Sequence, residues 1–120
     1  MPQSGNVVNL LEAGIRAEEL RQRAIASNMA NIETPGYHRA DVQFEQRLAK
    51  ALKSPSRIDP KAIEPEVYRP NDPPLRADGN NVNMEQEVGN LVENSLRYTA
   101  YVRILRKKFT QIEAAISERA

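Results

Sequence analysis

The chain contains no cysteine and no tryptophan, and only two phenylalanines and four tyrosines among its 120 residues. Without cysteine there can be no disulfide, no thiolate metal site and no cysteine nucleophile. Aromatics at 5% leave few large side chains for a compact core. An excess of one charge is missing too: 17 Lys and Arg stand against 16 Asp and Glu, for a formal net charge of +1. That balance supplies no general electrostatic drive toward nucleic acid or anionic lipid. No run approaches the ~20 apolar residues of a membrane span, so direct membrane insertion is not expected. Met1 to Asn6 carry neither a basic n-region nor an apolar h-region, so a cleavable secretory signal is not expected, and residues 1–6 read as a flexible N-terminus.

Reactive constellations are equally scarce. There is one histidine, His38, with no cysteine or second histidine to join it, and it reads as a surface residue. No phosphate-cradling glycine loop, zinc spacing or Ser/His/Asp arrangement occurs. No catalytic, cofactor-binding or metal residue is therefore assigned, and the chain is not expected to be an enzyme. The acidic residues fall at helix starts and in ion-pair spacings, which predicts a solvated face for them.

What is present is organised around Asn28–Tyr37. Residues 7–33 before and within it have helical period. Val8, Leu11, Ile15, Ile25, Met29 and Ile32 make one apolar stripe, and Leu10, Ala13, Ala17, Leu20 and Ala24 a second beside it. Asn9, Glu12, Arg16, Glu19, Arg23 and Ser27 fill the remaining side, with Glu12–Arg16 and Glu19–Arg23 at favourable i,i+4 spacing. Two adjoining stripes exceed the ~100° arc of an ordinary surface helix and predict more than one neighbour. At Thr34-Pro35-Gly36 the helix must stop. Proline biases its predecessor away from the α region, and Pro-Gly fills the central positions of a type II turn. Asn31 stands where a C-cap tolerates a left-handed residue. Gly36 is the costly residue to change, because such a turn needs positive φ there. Tyr37 is expected to point into a neighbouring subunit or the chain's own C-terminal helix.

Asp41 can cap a short helix over 41–53, with Phe44, Leu48, Ala51 and Leu52 on its apolar side. Residues 54–80 hold six of the eight prolines and read as a disordered linker or a loop packed along other chains. Asn83 with Gln86 then forms a capping box and opens the last element, 83–118. Met84, Val88, Leu91, Ser95, Tyr98, Val102, Leu105, Phe109, Ile112 and Ile116 alternate spacings of four and three without a slip. That is a heptad seam, and it predicts a coiled-coil helix. Arg103, Arg106, Lys107 and Lys108 lie within it and read as a solvated face or as intersubunit ion pairs. The fold expected is all-α: one domain, its long terminal helices paired as a coiled coil, with a short middle helix and a Pro-rich irregular segment. A lone hairpin would leave the second stripes wet, so the long helices are expected to be largely unfolded until assembly. The alternative reading is a dimeric coiled-coil protein that binds nucleic acid through Arg103–Lys108.

The stretch Ala30-Asn31-Ile32-Glu33-Thr34-Pro35-Gly36-Tyr37 resembles the motif near the N-terminus of flagellar rod and hook axial proteins. Asp78-Gly79-Asn80-Asn81-Val82-Asn83-Met84-Glu85, followed by Glu93-Asn94-Ser95-Leu96-Arg97-Tyr98, is similar to the proximal-rod members of that family. His38 stands where lysine is commoner there, and Asn83 where aspartate is expected. The resemblance implies a structural subunit of the proximal rod of the basal body, in the periplasm. It implies export by the flagellar type III apparatus without a cleaved signal, torque transmission, and terminal helices lining the export channel. Implied partners are other copies of the chain, the MS-ring/rod adapter FliE and rod proteins such as FlgC, with no nucleic acid. The residues it marks for motif and subunit contacts are Asn31, Thr34, Pro35, Gly36, Tyr37, Asn80 and Val82, together with the heptad seam.

Overall fold

The wide apolar arc at the N-terminus becomes helix α1, Ser4–Ala30, in a computed structural model that describes residues 4–53 and 59–119. Helix α1 begins before Val7, where the sequence pattern starts it; Val7 and Val8 are half-buried, so packing carries the helix back toward the N-terminus. Its polar side is solvated as expected, with Glu12, Arg16, Glu19 and Arg23 all exposed. The second stripe lies innermost: Ala13 and Ala17 are fully buried against Phe44 and Ile63, and Ala24 packs with Ala40 and Val42. Small side chains there let the following segments approach the α1 backbone closely.

The expected short helix over 41–53 is shortened. Asp41–Gln43 form strand β1 and the helix, α2, spans Glu45–Leu52. The reason is periodic. Ala40, Val42 and Phe44 are all buried, a two-residue spacing that only an extended chain can turn toward one core. Asp41 therefore cannot serve as a helix N-cap; Phe44 occupies that place without a side-chain cap bond. The strand finds its partner in the Pro-rich segment. A 3-10 turn at Pro60–Ile63 buries Ile63, and Glu66–Tyr68 form strand β2, antiparallel to β1 in the register Asp41↔Tyr68, Val42↔Val67, Gln43↔Glu66. An all-α reading thus needs one addition, this two-stranded ladder. Residues 54–58 of the Pro-rich stretch lie outside the described residues.

Helix α3, Met84–Arg119, runs back along α1, and the pair gives the body its extents of 66 × 25 × 15 Å. Its start is capped as predicted in one direction, since Gln86 N–H donates to Asn83 Oδ1 at 3.0 Å. The reciprocal half of the box is not made, and Gln86 Oε1 is buried without a hydrogen-bond partner.

Candidate assembly surface and the motif clamp

The stop after α1 closes as the sequence predicts and then does more. Tyr37 N–H donates to Thr34 O at 3.3 Å, and Gly36 holds φ +75°. Asn31, in contrast, is not left-handed; among the described residues positive φ is confined to Gly36 and Gly79. The helix tightens into 3-10 bonds instead, with Ile32 N–H to Met29 O and Thr34 N–H to Asn31 O. The carbonyls left over are met from 46 to 49 residues away. Asn80 is fully buried. Its Nδ2 donates to Asn31 O at 2.8 Å, Ile32 O at 3.2 Å and Thr34 O at 2.9 Å, and its Oδ1 accepts from Val82 N–H at 2.7 Å. Arg76 adds donations to Ile32 O and Val82 O, and Gly36 N–H donates to Asp78 O at 2.8 Å. The two motif stretches are therefore one hydrogen-bonded clamp.

Within the clamp Gly79 is the more constrained glycine. At φ +81° an added Cβ would lie 3.3 Å from Gly36 Cα, whereas a Cβ at Gly36 would meet nothing within 4 Å. Tyr37 does not point to α3. Its hydroxyl is 3.0 Å from both Ser27 Oγ and Asn28 Oδ1 on α1, and Arg69 lies 5.3 Å from the centre of its ring. Asn28 holds the other end: its amide exchanges two 2.8 Å hydrogen bonds with the Ala40 backbone, as a strand neighbour would.

Between α1 and α3 the Tyr101 ring lies over Gly14, and beside it the contact is polar. Glu18 is fully buried; its Oε1 accepts from Asn94 Nδ2 and Arg97 Nε, both at 3.1 Å, and its Oε2 from Arg21 at 2.6 Å. Asn94 Nδ2 also donates to Glu18 O at 2.6 Å. Arg21 continues to Val42 O at 3.3 Å and to Glu45. Two turns of α3 earlier, buried Glu87 accepts from Arg39 Nε at 2.9 Å, and Arg39 N–H donates to Asn81 Oδ1 at 2.7 Å. The solvated face expected for the acidic residues thus fails at Glu18 and Glu87, because each has a guanidinium to accompany it inward. Burial pulls the Arg21 and Arg39 guanidiniums down, but the facing carboxylates prevail and hold both above their ordinary value. Burial pushes Glu45 up, yet the Arg21 hydrogen bond, a hydrogen bond from its own backbone and the Arg21 and Arg97 charges together outweigh it and leave Glu45 below its ordinary value. Tyr101 is raised by burial, reinforced by the Glu18 and Glu45 carboxylates. A cavity of about 420 Å³ opens beside this network, lined by Arg21, Arg39 and Arg97 against Asp41, Glu45 and Glu93. Its charges cancel, so it selects no ion by sign.

The heptad seam lies elsewhere on α3. Met84, Val88, Tyr98, Phe109 and Ile116 are 39–64% exposed and Ser95 is exposed, while Leu91, Val102, Leu105 and Ile112 are half-buried at the margin of the α1 contact. At 3.6 residues per turn the row that meets α1, Glu87, Asn94, Tyr101 and Lys108, stands roughly a quarter turn from the seam. The expected pairing of the seam with the N-terminal helix is therefore replaced, within one chain, by pairing through this mostly polar row, with the seam at its margin. Arg103, Arg106 and Lys107 are exposed on the outer face.

The structure thus brings Asn31, Thr34, Gly36, Asn80 and Val82 together, leaves Pro35 exposed at the tip, and leaves six of the ten seam positions exposed. The sequence reading missed Glu18, Arg21, Asn28, Arg39, Glu87 and Asn94. For Glu18 and Arg21 a signal existed. The first apolar stripe of α1 jumps from Ile15 to Ile25, and Glu18 and Arg21 fill the gap in phase. Among the described residues no group of three or more His, Asp or Glu could hold a metal, and no helix is long and apolar enough to cross a membrane.

Two long paired helices, a clamp made of motif residues and an uncovered apolar stripe define a helix-built structural subunit. Comparison with known proteins makes this specific. The flagellar basal body rod protein FlgB of Bacillus subtilis is 29% identical over 123 residues, covering 95% of both chains. The FlgB of Yersinia enterocolitica is 31% identical over 103 residues, 71% of this chain and 74% of that one, and the Escherichia coli protein is 34% identical over 97 residues, 65% and 69%. No protein-family model matches the chain. The chain belongs to the FlgB family of flagellar basal body rod proteins. That membership carries a structural role in the rod and a basal-body location, and it gives the nucleic-acid alternative no support.

Proposed function

We propose that this chain is a subunit of the proximal rod that transmits torque and helps line the export channel through helix packing between subunits. The observation that carries the reading is the heptad seam of α3, ten positions long and largely uncovered on the folded chain. Apolar side chains in such a row have no use in water, and a second helix bearing the same row is their natural cover. Seam packing of this kind stiffens a shaft without bond chemistry, and the α1–α3 contact leaves the exposed seam positions free for neighbours. Other copies of the chain are the first partners; FliE and FlgC, exported by the same type III route, would meet it at the two ends of its layer.

The test replaces the chromosomal gene of a flagellated host with a Phe109→Asp variant. Phe109 is 47% exposed, so the folded subunit tolerates the charge while a seam contact does not. Expected are normal expression and export with no rod and no motility. Functional rods built from Phe109→Asp subunits would refute the seam's role.

A further inference from the structure

The polar face and the apolar seam of α3 compete for α1, and the polar face has won. Helix α1 offers Leu11, Ile15 and Ile25 along the stripe in which Glu18 and Arg21 stand. A quarter-turn roll of α3 would centre Leu91, Val102 and Leu105, now half-buried at the margin, and the exposed Tyr98 on that stripe in place of Asn94 and Arg97. What forbids the roll is specific. Glu18 is 0% exposed and takes Asn94 and Arg97 from α3; Arg39, 3% exposed, takes Glu87 from the same face two turns earlier. Rolling would strip Glu18 of Asn94 and Arg97, leaving it Arg21 alone, and Arg39 of Glu87, leaving it Asp41, a loss of buried polar pairing that the apolar gain must overcome.

We propose that Glu18 and Arg39 act as a rotational key, fixing which face of α3 meets α1 so that its apolar seam is held outward for a second copy of this chain. The key rests on the seam assignment made above, but its geometry can be read separately. It also accounts for polar residues at the centre of a helix pair in a chain with so few large apolar side chains. A seam satisfied within the chain would be unavailable to any neighbour.

The chain has no cysteine, so a single Ser95→Cys thiol on the exposed seam reports rotation directly. The double variant Glu18→Leu/Arg39→Leu removes both keys from the α1 side and leaves α3 untouched; Arg21 keeps Glu45 and Arg97 keeps Glu93. At dilution, with the subunit monomeric by sedimentation, maleimide labelling of the thiol should be at least tenfold slower in the double variant than in its parent. Single Glu18→Leu, which retains the Arg39–Glu87 pair, should give an intermediate slowing and decides the matter if the double variant loses its helical circular dichroism. Labelling within twofold of the parent in the folded variants overturns the key. Strong protection together with undiminished rod assembly keeps the key and overturns instead the seam's assignment to neighbouring copies. Protection with lost assembly supports both.

Discussion

Replacing Asn80 should separate the clamp's hydrogen-bond chemistry from its shape. The side chain is fully buried, and its amide faces three carbonyl oxygens at the end of α1 while its carbonyl takes Val82 N–H. An amide nitrogen carries two hydrogens, so the three carbonyls share two donors, and with Val82 three full bonds are at stake. At about 1 kcal/mol net for each, Asn80→Ala should cost about 3 kcal/mol. Asn80→Asp is nearly isosteric, yet it sets a buried carboxylate against the same carbonyls. At neutral pH it loses both donors and buries a charge against carbonyl oxygens, which the part-exposed Arg76 guanidinium on Ile32 O and Val82 O offsets only in part, so it should cost more than alanine, about 4–5 kcal/mol. The sign with pH follows. The folded state raises this aspartate above its unfolded value of about 4, so the stability it offers is present below that pH and lost as pH rises through the raised value. In acid the protonated carboxyl recovers one donor, and Asn80→Asp should approach Asn80→Ala. Urea titrations followed by far-UV circular dichroism, at neutral and acidic pH, measure all of this. An Asn80→Asp variant as stable as Asn80→Ala at neutral pH, or an alanine cost below ~0.5 kcal/mol, would show that the clamp closes for other reasons.

Two further outcomes are expected. Alanine should act in opposite directions at two helical glycines. At Gly14 an added Cβ would sit 2.8 Å from the Tyr101 ring, so an overpacking cost of ~1–3 kcal/mol should exceed the ~1 kcal/mol gain in helix propensity; at Gly89 nothing lies within 4 Å, and the propensity gain should appear undiminished in thermal melts. Tyr101 should ionise above the ordinary tyrosine range in an absorbance titration, because burial and the nearby carboxylates disfavour the phenolate. Its contribution is present below pH ~10 and lost as pH rises through its raised value; Tyr101→Phe should flatten that alkaline loss, and an unchanged alkaline profile would count against the burial argument.

The helices were legible because their periods are long, and the stop at Thr34-Pro35-Gly36 because local chemistry leaves a chain little choice there. Partners were harder to read. A carbonyl at the end of α1 needs a donor, but nothing in residues 28–37 says that Asn80 will supply it, since the match forms only when the Pro-rich segment has carried the chain back. Asp41 was misread because a polar residue before an apolar helix and one between two inward strand residues look alike over a few positions. The two-residue spacing of Ala40, Val42 and Phe44 was the discriminating feature. The contact of Tyr37 with α3 fails for a related reason: its hydroxyl satisfies Asn28 and Ser27, residues on the helix it has just left.

The largest difference lies in which face of α3 turns inward, and its cause is an energetic asymmetry. Apolar periodicity identifies a surface that seeks cover, and a heptad seam meets that need equally well inside one chain or between chains. Buried charge is less permissive. A carboxylate at 0% exposure is stable only where a guanidinium or amide reaches it, so Glu18 and Glu87 admit very few arrangements while Val88 or Phe109 admit many. Where both kinds of surface compete for one partner helix, the polar pairs determine geometry and the apolar row is left to whatever arrives next. The charged interruptions of an apolar stripe are therefore the positions that say how this helix pair is turned, and the uninterrupted stripe says what remains to be built on it.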